Sequence, residues 1–121
     1  MGIVLTVDDS VSVRQVVRLT LTRSGHTVVE ANDGADGLAK AKAQRFDLVI
    51  TDLNMPVMNG LEMIRGLRNL ASFVGTPIVF LTTESDAAIK QQAKAAGATG
   101  WITKPFTPDQ LMTVVTKLVR S

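Results

Sequence analysis

Cysteine is missing from the 121-residue chain, and histidine occurs once. No disulfide framework can hold the fold, and His26 has no second histidine or cysteine with which to form a zinc-type site. His26 follows Gly25 at a predicted turn and is expected at the surface. Long hydrophobic runs are also missing. The longest, near Leu48 to Ile50 and Ile78 to Leu81, fall far short of the ~20 residues that a spanning helix requires, so no membrane span is expected. No basic leader or small-residue cleavage site precedes Asp8 and Asp9, and a cytosolic location is the expectation. Met1, Gly2 and Thr6 formally fit an N-myristoylation pattern, but Gly2 borders a predicted strand, which argues against it. The chain carries 13 Lys and Arg against 11 Asp and Glu, a net charge of +2 and a pI near 9.3. These cations are scattered and never interleave with aromatics, so the footprint of a nucleic-acid binder is absent. Gly34, Gly37, Gly60 and Gly66 make no phosphate-binding fingerprint of the dinucleotide or nucleotide kind, so no ATP site is expected. No internal repeat or low-complexity segment interrupts the chain.

What is present is a strict alternation. With 45% hydrophobic residues, residues 1–121 suit one globular domain with a core of its own. Short β-branched apolar runs at 3–7, 27–31, 47–51, 77–81 and 99–103 predict five strands. Helical patterns at about 10–23, 34–44, 60–70 and 86–96, and from Thr107 onward, fill the intervals. Ser10 is a suitable N-cap for the first helix, Val13, Val16, Val17, Thr20 and Leu21 form its apolar face, and Gly25 ends it. The last helix opens with Thr107, Pro108, Asp109 and Gln110, an N-cap, a first-turn proline and the partner for a capping box. Leu111, Val114, Val115 and Leu118 follow as its buried stripe. The fourth helix is alanine-rich, with Ile89 as its one large apolar residue, and is expected to be loosely held.

Near-continuous apolar strands alternating with helices imply an α/β fold, a parallel sheet covered on both faces by right-handed crossovers. Such folds bind ligands beyond the carboxyl ends of their strands. The order 2-1-3-4-5 is a common one for doubly wound sheets of this size, taken from the fold class and not from the residues. At those strand ends fall Asp8 and Asp9 after strand one, Asp52 after strand three, Thr82 and Thr83 after strand four, and Lys104 after strand five. Carboxylates about 5 Å apart repel by roughly 3 kcal/mol at an effective dielectric of about 20. Lys104 alone cannot balance three of them. Mg²⁺ suits the deficit, because it accepts one or two carboxylates together with waters and phosphate oxygens. An aspartate beside a metal, an ammonium and a hydroxyl is also a covalent acceptor for a phosphoryl group. Each element has a plainer reading: Asp8 and Asp9, or Asp52 and Asn54 before Pro56, as turn residues, Thr82 and Thr83 as a helix cap, and Lys104 as a solvated side chain. Their convergence on one edge favours the chemical reading.

Val7-Asp8-Asp9-Ser10, Thr51-Asp52-Leu53-Asn54-Met55-Pro56, Leu81-Thr82-Thr83-Glu84 and Thr103-Lys104-Pro105-Phe106, in this order, resemble the receiver domains of bacterial two-component response regulators, in particular the single-domain chemotaxis type. The similarity spans essentially the whole chain. It implies a flavodoxin-like receiver fold with Asp52 as phospho-acceptor, charged from a phosphohistidine on a histidine kinase or phosphotransfer protein. It implies that Asp9, Asp52 and the backbone carbonyl of Asn54 bind Mg²⁺, with Asp8 acting through water. Thr82 and Lys104 would hold the phosphoryl oxygens, the Thr83 N–H would add a donor, and the Lys104-Pro105 bond would be cis. Thr82 is also implied to couple to an aromatic on strand five, which here is Trp101 where relatives carry tyrosine or phenylalanine. Leu53 stands where the chemotaxis type has tryptophan. The output would be altered binding of a target on the surface of helix four, strand five and helix five, since no DNA-binding helices follow Ser121. Asn54 and Glu84 flank the site in a way that suggests a short-lived signal, ended by self-hydrolysis of the acyl phosphate, with a separate phosphatase as a further candidate partner. Such a protein catalyses its own phosphorylation and is no conventional enzyme.

Three alternatives stay open at this point. A phosphorelay intermediate outside chemotaxis would share every motif. A haloacid-dehalogenase-type phosphatase also uses a strand-end Asp with Mg²⁺, Thr and Lys, but wants a second Asp where Asn54 stands. A flavin-binding module would share the sheet order, but an acidic strand-end cluster repels a flavin phosphate. Met55, Met58, Met63 and Met112 are read as gap-filling or surface residues, not ligands.

Overall fold

A computed structural model describes residues 2–53, 59–83 and 87–119. Five strands, β1 (Ile3–Val7), β2 (Thr27–Ala31), β3 (Leu48–Asp52), β4 (Ile78–Thr82) and β5 (Gly100–Thr103), form one sheet. Their order is β2-β1-β3-β4-β5, and every neighbouring pair is parallel. Helices α1 (Val11–Arg23), α2 (Gly34–Ala43), α3 (Gly60–Arg68), α4 (Ala87–Ala96) and α5 (Pro108–Leu118) connect and follow them. The fold expected from the alternation is therefore present. No helix among the described residues is long and apolar enough to cross a membrane.

The strands are apolar at nearly every position because both faces of the sheet are covered. Leu5, Val7, Val49, Ile78 and Phe80 face a core completed by Ala41 of α2, Met63, Ile64 and Leu67 of α3, and Ala93 of α4. Val4, Leu48, Ile50, Val79, Leu81 and Ile102 point the other way, onto Val17 and Leu21 of α1 and Leu111 and Val115 of α5. Burying each such aliphatic side chain contributes about 1.5–3 kcal/mol relative to exposure. All five residues of β3 and of β4 are buried, which places the central strands, and whatever they carry at their ends, in the most rigid part of the molecule.

The helix boundaries follow from the residues that satisfy their end groups. Ser10 Oγ accepts the Val13 N–H at 3.3 Å. At the other end of α1, Gly25 adopts φ +90°, its N–H reaches Thr22 O and the His26 N–H reaches Leu21 O, both at 3.0 Å. This double closure needs a residue in the left-handed region, which glycine supplies without strain. The predicted Thr107/Gln110 capping box on α5 is present, and a second box joins Asn59 and Glu62 on α3.

Several details differ from the sequence reading. Strands β3 and β4 each begin and end one residue later than predicted. Asp47 is exposed, and its carboxylate accepts the Ile3 N–H at 2.7 Å, so it acts as a connector ahead of the sheet. Val16 of α1 is 42% exposed. With 3.6 residues per turn it is rotated about 100° from Val17, which takes the buried position with Leu21. His26 is half-buried and not on the surface: its Nδ1 accepts the Gly2 N–H at 3.1 Å. A short 3₁₀ turn at Ala71–Phe73 was not anticipated. It drives Phe73 fully into the core, with its ring 6.4 Å from that of Phe46. Arg68, at the end of α3, then clasps this region: its guanidinium donates to Gly97 O at 2.8 and 3.0 Å and to Phe73 O at 2.5 Å. Helix α4 buries only Ala93 fully. Asn54, Met55, Met58 and Glu84 lie outside the described residues.

Candidate functional site

Parallel register brings the predicted polar residues to one edge. Val7 pairs with Thr51, Asp52 with Leu81, and Thr82 with Thr103. The residue after β1 (Asp8), the last of β3 (Asp52), the last of β4 (Thr82) and the residue after β5 (Lys104) therefore stand at a common height. Asp52 is the final strand residue and not a loop residue, so its backbone is fixed by the ladder on either side. Leu53, buried at 6% exposure, continues the hold by donating its N–H to Leu81 O at 3.3 Å.

Asp8, Asp9 and Asp52 each present a carboxylate oxygen within 4.8 Å of the others. Asp8 is fully buried, Asp52 is 6% exposed and Asp9 faces solvent. Lys104 Nζ lies between the two buried acids, 3.4 Å from Asp8 Oδ2 and 3.3 Å from Asp52 Oδ1. Asp8 Oδ1 also accepts the Ser10 N–H at 2.8 Å. Loss of hydration on burial pushes the Asp8 carboxyl above its ordinary value. The Ser10 N–H pulls it back, the Asp52 charge pushes it further up, and Lys104 pulls it down. At this spacing two ionised carboxylates repel by about 3 kcal/mol at an effective dielectric near 20, and one ammonium cannot cancel three such charges. Clustered carboxylate oxygens are hard donors, a set compatible with Mg²⁺ and unsuited to a soft metal.

Thr82 is fully buried at the end of β4, and its carbonyl accepts the Lys104 N–H at 2.8 Å, tying the hydroxyl-bearing and ammonium-bearing residues together. Thr83 follows it and is exposed. The Lys104-Pro105 peptide is cis, as the resemblance implies. Trp101 is 38% exposed on β5, its ring 6.2 Å from that of its strand neighbour Phe80 and 4.5 Å below Lys90 Nζ of α4. It lies outward, between α4 and solvent. Two clefts lined by Asp47, Thr76 and Pro77 lie at the opposite end of the sheet and touch none of these groups.

Two contributors escaped the sequence reading. Gly60 opens α3 directly behind the strand that carries Asp52, where its N–H donates to Leu53 O at 2.9 Å. A Cβ there would meet the Asp52 carbonyl and lie 2.7 Å from Leu53 Cα, so only glycine permits the approach. The signal was a glycine following a helix-capping Asn59, which has many ordinary explanations. Arg14 of α1 donates to the Asp8 carbonyl at 2.7 Å, and nothing in its spacing announced that contact.

A doubly wound sheet whose strand ends gather three carboxylates, a buried threonine and a bridging lysine defines a phospho-acceptor signalling switch. Residues 4–116 match the family model of the response regulator receiver domain, and the chain belongs to that family, in its CheY-like branch. It is 41% identical over 109 residues to a chemotaxis protein CheY homolog of Campylobacter jejuni, covering 88% of this chain and 84% of that protein. The chemotaxis protein CheY4 of Vibrio cholerae superposes with a TM-score of 0.94 at 47% identity, covering 98% of both chains. The receiver domain of a sensor histidine kinase from Pseudomonas aeruginosa, solved with a magnesium ion coordinated in its active site cleft, superposes at 0.91 with 25% identity, covering 99% of this chain and 98% of that one.

Proposed function

We propose that Asp52 is the phospho-acceptor of this switch, taking the phosphoryl group of a partner's phosphohistidine. A carboxylate oxygen of Asp52 forms the new P–O bond, the P–N bond of the donor breaks, and its electron pair returns to the imidazole. The observation that carries this reading is the Lys104 ammonium within 3.4 Å of both Asp8 and Asp52, in a cluster of three carboxylates. Mg²⁺, when bound, neutralises charge on the transferring oxygens. Asp9 and Asp52, with the Asn54 carbonyl, are the ligands of this reading, and Asp8 acts through water. Three carboxylates against Lys104 and a divalent ion then sum to zero charge. The magnesium seen in the active site cleft of the Pseudomonas receiver supports Mg²⁺ as the ion of such a site.

Lys104 and the Thr82 hydroxyl hold the phosphoryl oxygens once transfer is complete, with the Thr83 N–H as a further donor. Preorganised donors of this kind lower the barrier without reorganisation at the moment of reaction. Phosphorylation then favours a conformation already sampled, read out at the surface of α4, β5 and α5 where Trp101 lies. The partners are a histidine kinase or phosphotransfer protein and a target protein in the cytoplasm. The names of the Campylobacter and Vibrio relatives favour chemotaxis as the setting. Slow hydrolysis of the acyl phosphate, aided by Asn54, Glu84 or a phosphatase, resets the switch.

Beryllofluoride, which mimics an acyl phosphate, tests the reading when added with Mg²⁺ while Trp101 fluorescence is followed. A saturable change in the wild type that disappears in Asp52→Asn is the expected result. An unchanged response in the variant defeats it.

A further inference from the structure

Asp9 is exposed, and among the described residues no hydrogen bond or ion pair holds its carboxylate. What the fold fixes of its position is therefore the backbone from which it springs. That backbone is pinned at both groups of Asp8: the N–H donates to Ala31 O of β2 at 3.1 Å, and the carbonyl accepts from Arg14 Nη1 at 2.7 Å. The Asp8 carbonyl belongs to the peptide plane that leads into Asp9. Arg14 is itself held. Its side chain is only 14% exposed, and its Nε lies 3.4 Å from Glu30 Oε1, an ion-pair contact without a hydrogen bond. Arg18 takes the other carboxylate oxygen of Glu30 at 3.5 Å, and Lys40 bonds to the Glu30 carbonyl. The end of β2 and one face of α1 thus grip a guanidinium whose free end grips the acidic turn.

Resting on the phosphorylation reading above, we infer that Arg14 is a positioning residue for the Mg²⁺ site, orienting Asp9 through the Asp8 carbonyl. The fork of a guanidinium suits the task, since one nitrogen faces Glu30 while another reaches the carbonyl. A lysine at the same place donates only from a single nitrogen and does not reproduce the separate Nη1 and Nε contacts.

Charge and position predict opposite outcomes, which makes the inference testable. Arg14 puts a positive charge beside the cluster, so removing it strengthens Mg²⁺ binding if only Coulomb attraction counts. If Arg14 orients Asp9, removing it weakens binding. Calorimetric titration with Mg²⁺ alone, on the wild type, Arg14→Met and Arg14→Lys, separates the two. Outer partners of metal ligands commonly change affinity by about tenfold or more. The expected result is a roughly tenfold weaker Kd in Arg14→Met, with the phosphorylation rate at saturating Mg²⁺ within about twofold of wild type. Arg14→Lys, which keeps the charge, is expected to weaken binding by about threefold and covers the case in which the methionine variant does not fold. Unchanged or tighter binding in the variants overturns the inference and leaves the phosphorylation reading standing. A wild type that binds no Mg²⁺ removes that reading instead.

Discussion

The ammonium of Lys104 lies 3.4 Å from a carboxylate oxygen of Asp8, a side chain with no exposed surface. Even with this partner the Asp8 carboxyl is raised, because burial outweighs the attraction. An acid whose folded pKa is raised binds protons more readily in the native state, so its ionisation lowers stability as pH rises through the interval above its unfolded value. In metal-free buffer Asp8→Asn is therefore expected to be more stable than the parent at neutral pH. The gap closes as pH falls into the ordinary carboxylate range. Urea midpoints at a series of pH values measure it, and a variant less stable than its parent at pH 7 would count against this account.

Asp52 shares the same lysine and carries the reaction in the proposed function. Asparagine fills the same volume at the end of a fully buried strand, so Asp52→Asn should keep the fold and lose the acyl phosphate entirely. Lys104→Met should lower the phosphorylation rate by about a hundredfold, the usual effect of deleting one preorganised donor at a developing charge. Phosphorylation by a small acyl phosphate donor with Mg²⁺, followed by mass spectrometry of the intact protein, reports both.

Gly60 offers a test that alters no charged side chain. Alanine at this position forces the start of α3 away from the Asp52 carbonyl, and overpacking of this kind costs about 1–3 kcal/mol. The denaturation midpoint should fall accordingly, and the phosphorylation rate should fall with it, because the strand that carries Asp52 has to move. A variant that loses stability but keeps the parental rate would show that the acceptor strand does not yield.

On α4, Lys90 lies over the Trp101 ring. Lys90→Met removes a cation–π contact worth about 0.5–1 kcal/mol at an exposed site. The tryptophan emission spectrum should shift while the urea midpoint moves little. The beryllofluoride response of Trp101 should persist, since Lys90 is no part of the phosphoryl site.

Much of this was legible from residue order. Five β-branched runs separated by helical patterns foretold the sheet, and Asp8, Asp9, Asp52, Thr82 and Lys104 do meet at one edge, because parallel strands carry their C-terminal residues there. Boundaries were harder. Asp47 and Pro77 looked like strand openings, but Asp47 bonds to the Ile3 N–H and the ladder begins after each of them. Val16 looked buried because it neighbours Val17, and one helical step of rotation turned it outward. Phe73 and His26 were missed for a shared reason: each is placed by contacts with distant segments, Phe46 and Gly2, that local pattern does not encode. Arg14 and Gly60 matter through a backbone carbonyl each, and carbonyls have no signature in a sequence.

The clasp of Arg68 on the carbonyls of Phe73 and Gly97 fixes α4 at the end farther from Thr82. A rod pinned at one tip can swing but cannot slide. Under the proposed switch, any displacement of α4 should then grow along its length, smallest beside Gly97 and greatest at Ala87, so that a small rearrangement at β4 would be levered into a wider sweep across the face that Trp101 shares.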